Sequence, residues 1–301
     1  MISLLQSSYK KIMLNLIKAA FFGLVEGITE WLPVSSTGHM ILLNDFITLD
    51  VSKEFWEMFL VVIQFGAIMA VVLMYWNTIW PIKSKANHTG KKIYVVDRKT
   101  LSLWGKTIVA CIPAAVIGLL LDDWLNEHLY NWLVVSIMLI LVGIAFIVIE
   151  NRNEKVNGGP ENDNARMKTL DDIDYLTALK IGLFQLIAAI FPGTSRSGAT
   201  IIGGLLVGVS RKAAAEFTFI LAIPVMAGAS LLKIVKYLAG GAGFTGSEIM
   251  TLIVGLVVAF VVSVFIISFL MSYIRKHDFK VFGWYRIILG AVVIFYFLVI
   301  D

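Results

Sequence analysis

Pro33-Val-Ser-Ser-Thr-Gly38 cuts one apolar stretch in two, and Pro192-Gly-Thr-Ser-Arg-Ser-Gly198 does the same to another far downstream. The first separates residues 12–32 from 39–49, and the second separates 175–191 from 199–209. Most of these arms are about 10–15 residues long, whereas a helix needs about 20 apolar residues to cross a bilayer. A turn rich in Pro, Gly and hydroxyl side chains leaves backbone groups free. At membrane depth such a turn survives only where protein or a water-filled cavity satisfies it. The pattern predicts two re-entrant helical hairpins; the plainer alternative is a pair of extramembrane loops.

The rest of the chain fits a membrane setting. Of its 301 residues 58% are hydrophobic and 15% charged, and the mean hydropathy is +0.85. An average soluble domain is about 25% charged, and a soluble domain of this size cannot hide so much apolar surface. The composition excludes a nucleic-acid binder, a disordered chain and a disulfide scaffold. Cys111 is the only cysteine, so no intrachain disulfide forms. Six segments are long and apolar enough to span: 56–76, 103–121, 129–149, 214–235, 249–273 and 282–300. Lys10-Lys11 before an apolar run imitates a secretory signal. Lys18 interrupts that run and no small-x-small site precedes Glu26, so the N-terminus is read as retained.

The interrupted regions are related to each other. Shifted by 159 positions without a gap, residues 19–73 match 178–232 at Ala19/Ala178, Gly23/Gly182, Pro33/Pro192, Ser36/Ser195, Lys53/Lys212 and Glu57/Glu216, among others. Pro, Ser and Glu are scarce in apolar segments, so the coincidence argues for duplication. The chain divides into a first repeat (1–149), a linker (150–174) and a second repeat (175–301). Each repeat holds one hairpin and three spans. Three is odd, so the second copy is inverted, a plan in which broken helices meet near the bilayer midplane. The expected fold is all-α and polytopic: six transmembrane helices plus two re-entrant hairpins in an inverted 3+3 repeat.

Lys and Arg crowd the loops 77–102, 150–174 and 274–281, including Lys83, Lys85, Lys91, Lys92, Arg98 and Lys99 in the first. Parity puts all three on one side, which the positive-inside rule makes cytoplasmic. Both termini then lie outside, against which Lys10 and Lys11 are a mild objection. The stretch 150–174, rich in Asn, Gly and mixed charge, reads as a flexible linker.

Ionisable residues at membrane depth are costly and are functional candidates. Glu26 and Glu30 are four apart and share a helix face. Such a pair either shares a proton or holds a divalent cation through hard oxygens. His39 is the one histidine inside an apolar region; His88, His128 and His277 lie in loops or at span ends. It stands three residues from Ser36, a candidate nucleophile. Arg196, within Thr194-Ser195-Arg196-Ser197-Gly198, offers a planar five-donor fork suited to phosphate. A Gly-rich turn entering a helix N-terminus cradles anions, although the Gly-Lys-[Ser/Thr] ending of a Walker A loop is absent. The plain reading of Arg196 is a counter-ion of Glu26 or Glu30. Together these groups suit phosphoryl-transfer hydrolysis of a lipid phosphate.

Glu26-Gly-Ile-Thr-Glu30-Trp-Leu-Pro-Val-Ser-Ser-Thr-Gly-His39, followed by Pro192-Gly-Thr-Ser-Arg-Ser-Gly-Ala-Thr200, closely resembles the undecaprenyl-diphosphate phosphatases of the bacitracin-resistance family. The resemblance covers nearly the whole chain. It implies hydrolysis of undecaprenyl diphosphate to the monophosphate, recycling the carrier lipid for peptidoglycan. It also implies a divalent cation (Mg or Ca), homodimers, and a plasma-membrane site open to the outer face. Glu26 and Glu30 resemble the family's acidic motif, Ser36 and His39 its serine–histidine pair, and Arg196 its essential arginine. Ser35, Thr37, Thr194, Ser195 and Ser197 look like supporting phosphate ligands. Acid-phosphatase-like lipid phosphatases need a Lys-x6-Arg-Pro motif and a late His-x3-Asp, and neither occurs. A polyprenyl-phosphate transporter or flippase is the remaining alternative, because the inverted repeat alone suits a carrier.

Overall fold

The computed structural model describes residues 2–86, 92–160, 163–241 and 243–299; His88 and Lys91 lie outside them. It is almost wholly helical. The first interrupted region forms α1 (Ile2–Thr29) and α2 (Ser36–Phe46), and the second forms α7 (Tyr175–Ile190) and α8 (Arg196–Leu206). Between and after them run α3 (Lys53–Met74), the short α4 (Trp76–Ile79), α5 (Arg98–Leu129), α6 (Trp132–Asn157), α9 (Arg211–Ala239), α10 (Gly246–Tyr273) and α11 (Lys280–Val299). The ends follow local chemistry: Ser52, Asn131, Asp174 and Ser210 each cap a helix by accepting a first-turn amide. Thr245 and Glu248 close a capping box on α10.

All six expected spans are present as helices. By length and composition there are seven candidates among the described residues, because Tyr9–Thr29 within α1 also qualifies. Three hairpin arms are short as expected, at 11, 16 and 11 residues for α2, α7 and α8, but α1 runs for 28. Helix continues N-terminally through the polar residues 6–11, and Lys18 extends to the Thr48 carbonyl at 2.6 Å rather than breaking it. The chain is a polytopic membrane protein in which α1 is the longest arm of either hairpin.

Helix packing has a recurring scheme. α1 packs along α10 and α7 along α5; α3 packs on α9, and α6 on α11. The first two contacts are made at glycines. A Cβ on Gly23 would stand 2.5 Å from the Gly255 carbonyl oxygen, and one on Gly182 2.3 Å from that of Ala110. Gly143 and Gly283 block each other in the same way at 2.7 Å, each against the other's carbonyl, where α6 crosses α11. Small residues let helix backbones approach in this manner.

Two connections differ from expectation. Loop 77–102 carries an antiparallel pair of strands, β1 (Ile82–Ala86) and β2 (Lys92–Val96). The segment 150–174 is also not a free linker. Residues 150–157 continue α6, Ala165, Met167 and Ile173 are buried, and Met167 pairs with Val209 in a single β-bridge. Arg211 locks it further, meeting Glu150 at 2.6 Å and Asp163 at 3.4 Å with the arginine and Glu150 both buried. Composition suggested flexibility because the segment is polar; its polar groups instead find partners in one another and in α9.

Candidate active site

The turns 30–35 and 191–195 meet. Ser197 donates its hydroxyl to the Glu30 carbonyl at 3.1 Å, joining the second hairpin to the first. Arg286, fully buried on α11, donates to the carbonyl of Pro33 at 3.2 Å and to those of Gly193 and Thr194 at 2.8 and 2.9 Å. One guanidinium therefore braces both turns by satisfying carbonyls that no helix can use.

Ser35 and Ser195 hold matching positions at the two tips. Each is the N-cap of the short second arm, with φ of 73° and 69° respectively. Each accepts the amide three residues on, from Gly38 at 3.3 Å and Gly198 at 3.2 Å. A left-handed φ outside glycine costs on the order of 1–3 kcal/mol and persists only where surroundings enforce it. Cap geometry thus aligns Ser35 with Ser195 and Ser36 with Arg196, a shift of 160. The ungapped shift of 159 fails at the tips, because the second turn has one more residue between its proline and its cap. In consequence Arg196 occupies the place that Ser36 holds in the first hairpin.

Around these tips the expected residues sort into two groups. Glu30 is the centre of the first. Its Oε2 accepts the Ser36 hydroxyl at 2.8 Å, and its Oε1 accepts Arg196 Nη2 at 2.8 Å. Arg196 Nη1 donates to the Thr218 carbonyl at 2.9 Å, and the guanidinium lies 5.9 Å from the Trp31 ring centre. Thr218 donates in turn to Thr200, which donates to the Arg196 carbonyl. Glu26 faces Glu30 from one turn below, buried, with Oε1 unpartnered among the described residues.

The second group is His39 and Tyr285. His39 Nδ1 stands 2.8 Å from the Ser35 carbonyl, and Nε2 stands 2.6 Å from the Tyr285 hydroxyl, with the two rings stacked at 5.7 Å. A carbonyl only accepts, so Nδ1 carries the proton, and Nε2 of the neutral ring accepts from Tyr285. Ser36 and His39 each bind a different partner: Ser36 donates to Glu30, and His39 meets Tyr285. One turn of helix separates the two side chains on α2, and each has a nearer partner outside it.

The supporting residues divide as well. Ser35 and Ser195 are occupied as caps, and Ser195 also meets the Ser197 hydroxyl at 3.1 Å. Thr37 lies against Tyr130. Thr194 is buried with its hydroxyl unpartnered. Nine buried side-chain nitrogen or oxygen atoms among the described residues lack partners; those of Glu26, Trp31, Thr194, Arg196 and Arg286 all belong to this region. Such a concentration marks a place built for water or a polar ligand. Tyr285 and Arg286 lie outside both hairpin motifs. Arg286 had a signal, as the one charged residue within 281–299.

No group of three or more His, Cys, Asp or Glu side chains suited to a metal occurs among the described residues. Glu26 and Glu30 are too few for an all-protein cage. They do fit the mode in which Mg²⁺ takes one or two carboxylates and completes its shell with substrate phosphate oxygens.

The family model described as bacitracin resistance protein BacA matches residues 19–292. The chain is 57% identical over 281 residues to a protein of Enterococcus faecalis named undecaprenyl-diphosphatase, covering 93% of this chain and 96% of that one. A protein of the same name from Desulfitobacterium hafniense is 58% identical over 285 residues, covering 95% and 97%. Undecaprenyl-diphosphatase 1 of Clostridium acetobutylicum is 53% identical over 287 residues, covering 95% and 99%. The match spans both hairpins and α11 up to position 292, and by it the chain belongs to the family of the bacitracin resistance protein BacA.

Proposed function

We propose that this chain removes the terminal phosphate of undecaprenyl diphosphate where its two hairpin turns meet. The observation that carries this reading is Glu30, whose two oxygens bind a hydroxyl of the first hairpin and a guanidinium of the second, each at 2.8 Å. A hydroxyl, a phosphate-binding fork and a proton acceptor thereby share one point. When the diphosphate enters, Arg196 moves from Glu30 to the equatorial oxygens of the terminal phosphoryl group, where a planar fork meets two at once. First-turn amides of α2 and α8 add donors. Ser36 Oγ then forms a bond to phosphorus while its proton passes to Glu30. The bond from phosphorus to the bridging oxygen breaks, and undecaprenyl phosphate leaves. Water then bonds to phosphorus, giving its proton to His39 Nε2 once Tyr285 yields that lone pair; the P–Oγ bond breaks, Glu30 returns its proton to Oγ, and inorganic phosphate leaves.

A bound divalent cation, Mg²⁺ or Ca²⁺, would neutralise charge on the diphosphate; Glu26 and Glu30 are the residues to hold it. The architecture in this reading is the inverted 3+3 repeat, residues 1–149 and 175–301 joined by 150–174. Support comes from the packing scheme. Exchanging α1 with α7, α3 with α9, α5 with α10 and α6 with α11 turns each of the most extensive pairings, α1·α10, α5·α7, α3·α10, α3·α9 and α6·α11, into itself or into one also present. Homodimers, and a site facing the outside of the plasma membrane, complete the reading. The second rests on the Lys/Arg distribution.

Phosphate release from undecaprenyl diphosphate by the purified chain in detergent, with each cation supplied, tests this. Wild type should turn over and Ser36→Ala should not. Lipid movement across vesicles without phosphate release would replace the phosphatase reading with the carrier.

A further inference from the structure

Among the described residues no helix packs over the hairpin β1–β2. Every residue of β2 is exposed, and the strand is Lys92-Ile-Tyr-Val-Val96, four of its five residues apolar or aromatic. The register places Ile82 opposite Val96, Ser84 opposite Tyr94 and Ala86 opposite Lys92. Opposed residues share a face. One face therefore presents Ile82, Val96 and Tyr94, ending in the basic Lys92, whereas the other presents Lys83, Val95 and Ile93. On the first face Ile82, Val96 and Tyr94 are 45%, 54% and 77% exposed. A two-stranded hairpin without cover is marginal at best in water, and such a face seeks a partner.

Position decides which partner. α3 ends at Met74 and α5 begins at Arg98, both candidate membrane spans, so the hairpin sits between two bilayer crossings. Its base is fixed there. Asp97 N donates to the Pro81 carbonyl at 2.7 Å, Trp104 Nε1 to that of Ile79 at 2.8 Å, and Lys83 to that of Asn77. Trp76 and Trp80 stack at 4.6 Å beside it, each nearly half exposed, as aromatic residues do at a membrane interface. Lys92 and Arg98 stand exposed at its two ends. Apolar and aromatic groups flanked by cations match an anionic headgroup layer. We infer that the Ile82–Tyr94–Val96 face lies on the bilayer as an interfacial anchor, with anionic phospholipid headgroups as its ligand. Its height is set by the ends of α3 and α5, and its cover is lipid rather than protein.

The test uses the full chain with Cys111→Ala, which leaves no native thiol, and a nitroxide at Tyr94→Cys or, on the opposite face, at Ile93→Cys. In nanodiscs of phosphatidylcholine with phosphatidylglycerol, the oxygen-to-nickel accessibility ratio should be several-fold higher at 94 than at 93. In pure phosphatidylcholine that difference should shrink. The unsubstituted chain supplies a second measurement, since amide exchange in 92–96 should be about tenfold slower in the anionic discs. Equal, water-like ratios at both positions would overturn the inference, as would exchange indifferent to lipid charge. Spin–spin broadening at 94 would overturn it too, by making a second copy the cover. None of these readouts involves phosphate release, so they stand apart from the proposed activity.

Discussion

Arg196 and Glu30 lie 166 positions apart in the chain and meet as a buried ion pair at 2.8 Å. The contact crosses from one hairpin to the other, and Glu30 answers it by binding Ser36 with its second oxygen. It also gives the two roles of Arg196, counter-ion and phosphate clamp, opposite consequences. Lysine at 196 keeps the charge but not the fork. If the clamp operates, Arg196→Lys loses turnover steeply while still folding and binding lipid diphosphate. A counter-ion role predicts largely preserved hydrolysis. In the proposed mechanism Glu30 takes the Ser36 proton, so Glu30→Gln should lower turnover by roughly 10²–10⁴, the scale of a lost acid–base group. Phosphate release measured beside lipid binding separates these outcomes.

Tyr285 provides a subtler change. Tyr285→Phe keeps the ring stacked on His39 and deletes only the hydroxyl 2.6 Å from Nε2. In the proposed mechanism this hydrogen bond, worth about 0.5–1.5 kcal/mol net, must break before Nε2 takes a proton, so the water step should quicken by roughly 2- to 13-fold with KM unchanged. The pH–rate profile should move with it. Unaltered kcat and an unaltered profile would leave Tyr285 as packing alone.

Arg286 is a matter of folding before chemistry. Replacing it with methionine preserves bulk but strands three buried carbonyls that now receive its donors. At about 1–3 kcal/mol for each buried group left unsatisfied, Arg286→Met should lower the unfolding temperature in detergent by many degrees. A melting curve like that of wild type would show that other groups brace the turns.

Glycines at helix crossings divide cleanly. Gly182→Ala brings a methyl to 2.3 Å from the Ala110 carbonyl oxygen, and backbone must shift. The cost of such overpacking is typically 1–3 kcal/mol. Gly118→Ala, also within a helix, meets nothing within 4 Å and should stabilise α5 by up to about 1 kcal/mol. Thermal melts of the two single variants should therefore shift in opposite directions.

What was legible in the sequence was what depends on near neighbours. Hydropathy located six of the seven helices that, among the described residues, are long and apolar enough to cross a membrane, because lipid rewards long apolar runs wherever they pack. Pro and Gly located both turns because they break helices locally. Glu26 and Glu30 fall on one face through the helical repeat alone. Gly23 and Gly182, matched in the shift of 159, both lie at helix crossings, where α1 meets α10 and α7 meets α5. Everything that required knowing which helix lies beside which belonged to the tertiary structure. That Ser36 binds Glu30 and His39 binds Tyr285 could not be read from the three-residue spacing of the two. Arg286 was one charge in an apolar run until folding set it between two turns it had no sequence tie to. The polar segment 150–174 looked free until Arg211 supplied its counter-charge. Periodicity records how a helix meets its surroundings, but a buried ion pair or a shared carbonyl depends on two surfaces at once, and only packing brings those surfaces together.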